Sequence, residues 1–365
     1  MGRMMALEAR RMGYRTVVLD PAQNSPAAQV ADIHIQAPVD DAQAALDLAA
    51  RCDVVTLEWE LIPASVLEKI EAVKPLYPSS KVLRIIQDRL SQKEFLAKNK
   101  FPQVPFLAVN GLAELKASAP KIGFPCILKR RSHGYDGKGQ ALLQNKDSLS
   151  LAAQTLESPC VLEAQISFDL EISVILARGK NGEISLYPIA RNVHRNGILH
   201  TTQVPAAIPE ATQKKAQTIA CSIAEALGHV GVMAVEMFVV GDDILVNEIA
   251  PRVHNSGHYT LGACLTSQFE QHLRAISGLP LGETKLVSAA VMVNLLGNLW
   301  REGEPNWSAI LYQPNLKLHL YGKAKPAPGR KMGHILILGG DAEGSLKTAE
   351  ELLLKLKQKT NASLC

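Results

Sequence analysis

VMAVEMFVVGDDILVNEIAPRVHNSGH, residues Val232 to His258, reads as a β-hairpin that runs into a polar loop. Val232 to Val240 and Ile244 to Ile249 are apolar, β-branched runs, and Gly241-Asp242-Asp243 between them is good turn chemistry. A three-residue loop pairs Val240 with Ile244. Counting back, Glu236 then faces Glu248 directly. Like charges opposed across a ladder destabilise it, and in an apolar hairpin each raises the other's pKa. A divalent cation removes both costs, and hard carboxylate oxygens suit Mg²⁺, with Mn²⁺ as a substitute. A loop of two or four residues would shift the register and weaken this pairing. The alternative is that one glutamate faces solvent or pairs with Arg252. The loop beyond the hairpin is dense in donors: Arg252, His254, Asn255 and Ser256 are suited to bind an anion beside the metal. Arg252 as a plain counter-ion of Glu248 is the competing reading.

Upstream lies a second chemical segment, KRRSHGYDGKGQ, Lys129 to Gln140, directly after the strand Cys126 to Leu128. Gly134, Gly137 and Gly139 allow close backbone approach, and their amides can form an anion-binding nest. Lys129, Arg130, Arg131 and Lys138 surround them. The segment is neither a Walker sequence nor a Rossmann fingerprint, so an ordinary hairpin turn stays open. Alternation along Glu163-Ala164-Gln165-Ile166 places Glu163, Gln165 and Ser167 on one strand face. Glu171 begins the next strand, where an acidic residue suits ribose hydroxyls; a solvated glutamate is the plain alternative.

Outward from these segments the chain divides into three regions. Residues 1–100 alternate helix and strand, a βαβ pattern that implies a parallel sheet. The region opens on a helix, Gly2 to Met12, where a doubly wound sheet normally opens on a strand. A sheet without that central strand leaves a gap, with unpaired backbone and exposed apolar faces on either side. The expectation is an N-terminally truncated form of a longer chain, or one begun at an internal methionine; a sheet that simply begins with a helix is the alternative. Ser79 to Lys100 reads as one charged helix, and Phe101-Pro102 marks a boundary. Residues 101–288 hold the segments described above. Residues 289–365 are smaller and β-rich, with strands at Ala290 to Leu296, Lys317 to Tyr321 and His334 to Gly339, then a helix from Ser345 to Lys357.

Composition narrows the class. The 365 residues are 47% hydrophobic and 20% charged, typical of globular chains of two or three domains. No apolar run reaches the roughly 18 residues of a membrane span, and Met1 to Met12, basic but without a continuous apolar stretch, does not read as a secretory signal. The six cysteines show no metal or C-x-x-C spacing and read as small buried hydrophobes in a reducing compartment, which points to the cytoplasm. A net charge of +4 with 5% aromatics excludes a basic nucleic-acid stripe.

Taken together these segments resemble the ATP-grasp superfamily, and most closely one branch, the 5-(carboxyamino)imidazole ribonucleotide synthases of purine biosynthesis. The marks are NEIAPRVHNSGH (Asn247 to His258), KRRSHGYDGKGQ and YGKAKPAPGRKMGH (Tyr321 to His334), with Thr56 to Glu60, Asp88 to Lys93 and His194 to Thr201 as lesser ones. The resemblance implies an α/β ATP-grasp fold, with an N-terminal doubly wound domain lacking its first strand and a small C-terminal β-rich domain. It implies an ATP-dependent carbon–nitrogen ligase that carboxylates aminoimidazole ribonucleotide with bicarbonate, as a homodimer, with no nucleic-acid or membrane partner.

The resemblance also implies residue roles. Arg89 and Lys129 contact ATP phosphates, and Gly134, Tyr135, Asp136, Gly137, Lys138, Gly139 and Gln140 form a lid. Glu163, Ala164, Gln165 and Ile166 hold adenine, Glu171 binds ribose, and His194 lies nearby. Glu236 and Glu248 ligate Mg²⁺ beside Asn247, whose inward turn needs a bulge or a strand end. Arg252 holds bicarbonate and carboxyphosphate, with Lys129 and Asp136 also catalytic. Tyr135, Asp136, Lys323 and Arg330 bind the ribonucleotide; Glu58 or Glu60, His254, Asn255 and Ser256 complete the substrate side. His133 stands where the family commonly has glycine. A formate-dependent glycinamide ribonucleotide ligase is the rival enzyme reading, against which the HNSGH loop argues. A non-catalytic scaffold is the rival of another class, against which intact Lys129, Glu236 and Glu248 argue.

Overall fold

The computed structural model describes residues 1–132, 134, 139–152, 157–340 and 342–357. The expected lid residues His133, Tyr135, Asp136, Gly137 and Lys138, and the terminal Cys365, lie outside them.

The first layer is built from two strand pairs, each parallel: Val17–Leu19 with Ile33–Ile35, and Val55–Thr56 with Leu76–Tyr77. Helices Gly2–Arg11, Ala42–Ala50 and Ala64–Glu71 pack around them. Asp41 starts the second helix by accepting the Gln43 and Ala44 amides. Among the described residues no strand joins the two pairs. Between them runs a cavity of about 1110 Å³, partly open, with Met5, Ala9, Val17, Leu19, Val55 and Leu57 in its walls. The gap anticipated from the strand pattern is therefore present as space.

The expected single helix over Ser79–Lys100 is instead two, Ser80–Ile86 and Arg89–Lys98. Asp88 between them is extended and caps the second helix through the Leu90 and Ser91 amides. Arg131 grips the same carboxylate through Nε at 2.9 Å and Nη2 at 2.6 Å. A cap held from outside the helix wins over a run of good helix formers. Asp88→Ala is expected to lower stability by about 1 kcal/mol, the usual loss for a cap, and a thermal-unfolding midpoint that stays unchanged would refute this account of the break.

Two sheets follow. The smaller has strands in the order Phe106–Val109, Cys160–Ala164, Cys126–Arg130 and Gln140–Leu143, all antiparallel. The strand expected to continue to Ser167 stops at Ala164, and Gln165 and Ser167 are exposed while Glu163 is buried. The reason lies in its neighbours. The Ala164 and Gln165 amides bond the carbonyls of Pro105 and Pro125, and those prolines have no N–H to carry the ladder further.

The larger sheet runs Asp243–Ala250, Gly231–Val240, Leu170–Arg178, Ala190–Arg195, Ile198–Val204, Ala290–Leu296, Lys331–Leu338 and Leu316–Leu320, with Ile184–Leu186 added beside Leu170–Arg178. Ile198–Val204 pairs directly with Ala290–Leu296, so the C-terminal strands extend the central sheet. Alternation along Leu170–Arg178 and Gly231–Val240 feeds two cores. Ile172, Val174, Met233 and Val235 meet Ala216, Ala220 and Ile223 of helix Glu210–Leu227. Ile175, Ala177, Val232 and Ala234 meet Tyr259 and Phe269 on the other face. Burial on both faces explains the near-continuous apolar runs.

The first layer is tied to this sheet by His272 of helix Gln268–Ser277. Its Nδ1 accepts the Val232 amide at 3.0 Å, so Nε2 carries the proton and donates to Thr56 Oγ1 at 2.8 Å. Gly231 permits this approach: its φ is +115°, and a Cβ would lie 2.8 Å from the ring. No helix among the described residues is long and apolar enough to cross a membrane.

Candidate active site

The hairpin Gly231–Val240 and Asp243–Ala250 closes with a two-residue turn, Gly241-Asp242, because Val240 pairs with Asp243. This corrects the expected three-residue loop. In an unbroken ladder the shorter turn would set Asn247 opposite Glu236. A bulge intervenes: Met237 pairs with Val246, yet Glu236 pairs with Glu248, leaving Asn247 as the extra residue. The two carboxylates therefore do face each other. The bulge also supplies the irregularity that Asn247 needs, and Asn247 lines one small pocket with Glu171, Asn192, His194 and Glu236.

Burial, and then the charge of Glu248, pushes the Glu236 carboxyl up to about 7. The donor set fits a divalent cation, which would relieve both causes. Among the described residues no group of three or more His, Cys, Asp or Glu surrounds a common point. Further oxygens would come from a bound ligand and water, as is usual where a cation bridges phosphates. His254 Nδ1 lies 3.8 Å from Glu236 and 2.9 Å from Ser256 Oγ. Burial and the Arg252 charge hold its imidazole well below the ordinary value, so it stays neutral. His194 Nδ1 bonds the Glu171 carboxylate. Burial lowers this imidazole, but that bond and the charges of Glu236 and Glu171 raise it overall.

Cations border the pair. Arg89, at the start of its helix, reaches Glu248 at 3.5 Å and the Gly134 carbonyl at 3.3 Å. Glu248 is the main cause that raises its guanidinium. Arg252 is not the counter-ion of Glu248. Its Nε lies 2.7 Å from Glu60, and Nη1 donates to the Val253 carbonyl. Burial raises the Glu60 carboxyl in spite of Arg252. Burial acts likewise on Glu58, but the Met1 ammonium, Arg252 and Lys323 outweigh it and hold that carboxyl below its usual range.

The remaining candidates are placed as follows. Lys129 Nζ donates to Glu163 at 2.9 Å. Glu163 is buried, and Glu171, for which a solvated glutamate was the alternative, is part-buried and paired with His194. Gln140 pairs with Lys129 across the strand, and the Gly139 carbonyl accepts the Arg130 amide. Asn255 exchanges two amide bonds with Asn294, at 3.0 and 2.7 Å, and Ser256 is fully buried. Lys323 donates to the Lys331 carbonyl at 2.7 Å, while Arg330 is exposed and donates to the Lys325 carbonyl. Two helix residues were missed as functional candidates. Gln92 Oε1 accepts the Ile249 amide at 3.2 Å, fixing the strand that carries Glu248, and Lys93 joins Glu163 at 3.3 Å. Their signal was available: Lys93 stands four residues after Arg89, on the same helix face.

Three family domains match the chain in order. Residues 1–87 match the ribonucleotide synthetase preATP-grasp domain, 94–269 the ATP-grasp domain, and 290–348 the phosphoribosylaminoimidazole carboxylase C-terminal domain. The chain is 44% identical to N5-carboxyaminoimidazole ribonucleotide synthase of Brucella melitensis, over 92% of each chain. A solved N5-carboxyaminoimidazole ribonucleotide synthetase in complex with ADP is 42% identical, with a TM-score of 0.91 over 98% of this chain and 95% of the other. The Aspergillus clavatus synthase solved with ADP and 5-aminoimidazole ribonucleotide is 32% identical, with a TM-score of 0.88 over 98% and 95%. A shared fold, near-complete coverage and a carboxylate pair set by a bulge lead to one assignment: the chain belongs to the N5-carboxyaminoimidazole ribonucleotide synthases of the ATP-grasp superfamily.

Proposed function

We propose that the chain carboxylates 5-aminoimidazole ribonucleotide, using bicarbonate and ATP, to give N5-carboxyaminoimidazole ribonucleotide, ADP and phosphate for purine biosynthesis. The observation that carries this is the Glu236–Glu248 pair, with Arg89 beside it and the Arg252–Glu60 pair close to Glu248's surroundings. A bicarbonate oxygen attacks the γ-phosphorus of ATP, ADP leaves, and carboxyphosphate results. The substrate amine then attacks the carboxyl carbon, phosphate leaves, and the amine loses a proton.

The chain's part is positioning and charge. Arg89 and Lys129 hold phosphates, Glu163 to Ile166 hold adenine, and Glu171 with His194 faces the ribose. Arg252 binds the bicarbonate and then the carboxyphosphate as a planar, permanently charged fork. Lys323 and Arg330 supply charge for the ribonucleotide phosphate, and Glu60, part-buried, is the carboxylate paired with Arg252. Mg²⁺ held by Glu236 and Glu248 would neutralise developing phosphoryl charge. The lid that the resemblance implies, Gly134 to Gln140, closing over the site would keep water from the mixed anhydride.

The decisive experiment measures ADP release with bicarbonate, with and without 5-aminoimidazole ribonucleotide. The expected result is release that depends on the ribonucleotide. Release driven instead by formate and glycinamide ribonucleotide would replace this reading with the other ligase, and no release with any acid would favour a scaffold.

A further inference from the structure

We propose that Lys93 is a positioning residue: it keeps Glu163 charge-balanced and so frees Lys129 to move onto the nucleotide's phosphates. The inference rests on the reading of Lys129 as a phosphate ligand. Two ammonium groups share one carboxylate oxygen, Glu163 Oε2, with Lys129 at 2.9 Å and Lys93 at 3.3 Å. The Lys93 and Glu163 side chains are each 4% exposed, and Lys129 is 14% exposed. Beyond that ion pair the Lys93 ammonium has no hydrogen-bond partner among the described residues. The trio therefore buries a surplus positive charge, which is costly to hold in a protein interior and which packing alone does not favour.

Bound polyphosphate resolves the surplus. Lys93 sits inside helix Arg89–Lys98, a turn after Arg89, and is fixed by the helix. Lys129 lies near the end of strand Cys126–Arg130, is more exposed, and leads into the glycine-rich segment. When Lys129 swings to an anion, Glu163 keeps Lys93 as its partner and stays neutralised. Burial first, and the Lys129 charge after it, disfavour the charged form of Lys93 against the pull of Glu163, and the repulsion between the two ammonium groups helps the departure. Without Lys93, moving Lys129 would leave the buried carboxylate with only the charge of Arg89, which makes no ion pair with it, so Lys129 would be held where it is. Lys93 thus acts on phosphate binding through a third residue, with no contact to phosphate of its own.

The test measures the affinities of ADP and of adenosine, by calorimetry or fluorescence competition, for the full chain and for Lys93→Met, Lys93→Arg and Lys129→Met. Lys93→Met should weaken ADP roughly 10-fold, as expected for loss of a buried charge partner, while adenosine changes by less than about 2-fold. Lys93→Arg should retain ADP binding. Equal weakening of ADP and adenosine would reduce Lys93 to a structural prop, and unchanged ADP affinity would exclude the role altogether. Lys129→Met separates the two layers of the argument: if it leaves ADP affinity intact, the phosphate reading of Lys129 fails and the role of Lys93 falls with it. Should Lys93→Met not fold, Lys93→Gln carries the same comparison.

Discussion

Glu236→Gln is expected to lower ribonucleotide-dependent ADP release by roughly 10³-fold, since a cation ligand at a phosphoryl-transfer site supplies several kcal/mol of transition-state stabilisation. A coupled ADP assay at saturating Mg²⁺ measures it, and a rate within tenfold of the parent would remove Glu236 from the site. The same substitution should stabilise the cation-free protein. Burial and the Glu248 charge put the Glu236 carboxyl at about 7 in the folded protein, above the ordinary 4.5. A carboxyl raised on folding favours the folded state while protonated, and that contribution is lost as pH rises through the window from 4.5 to 7. Above pH 7 the ionised glutamate costs about 2 kcal/mol, after allowance for partial exposure, and Gln has no such cost. The gap in stability between variant and parent should thus open as pH rises from 5 to 8 and shrink on adding Mg²⁺. Several imidazoles titrate in the opposite sense, His229 at about 4 and His272 at about 3, so the difference between the two proteins is the quantity to follow.

Arg252→Ala carries the second large effect. Loss of one preorganised charge aimed at a developing anion costs roughly 10²–10³ in kcat. Glu60, part-buried, then keeps only the weaker influence of Arg89. Its carboxyl is already raised, so it escapes by taking up a proton, and the expected stability loss is about 1–2 kcal/mol rather than the full cost of a stranded buried charge. Arg252→Lys should restore most of the stability but little of the rate, because an ammonium lacks the planar fork. Steady-state kinetics beside thermal unfolding distinguish the outcomes. Full activity in the lysine variant would mean that charge alone, without the fork, serves at this position.

The carboxylate pair was legible because two glutamates stand in otherwise apolar strand runs and a count back from the turn sets them opposite. Two local features were not, and they cancelled: the turn is one residue shorter than expected, and the bulge at Asn247 adds one residue back. A bulge leaves no composition signal, whereas two opposed glutamates do. The break at Asp88 was hidden because Ser79–Lys100 is rich in helix formers, and Arg131, which holds the cap, comes from a distant strand. Lys93 and Gln92 look like solvated helix residues until the strands of Glu163 and Glu248 are brought against them. The end of strand Cys160–Ala164 was set by prolines on its two neighbours, which a reading along one strand does not weigh. Asn255, read as a substrate ligand, is taken up by Asn294 from a strand far along the chain.

The space of about 1110 Å³ between the two strand pairs of the first layer has a volumetric meaning. Hydrostatic pressure favours whichever state occupies less volume, and the gain on unfolding scales with the voids that unfolding removes. Most of this protein's interior is close-packed around helices Glu210–Leu227 and Gln268–Ser277 and offers little to compress. The space in the first layer is partly open, so only its enclosed part acts in this way, and that layer bears on the larger sheet through the His272–Thr56 bond and through the Glu60–Arg252 pair. Pressure thus bears unequally on the two sides of the larger sheet, the looser being the side that His272 ties to Thr56.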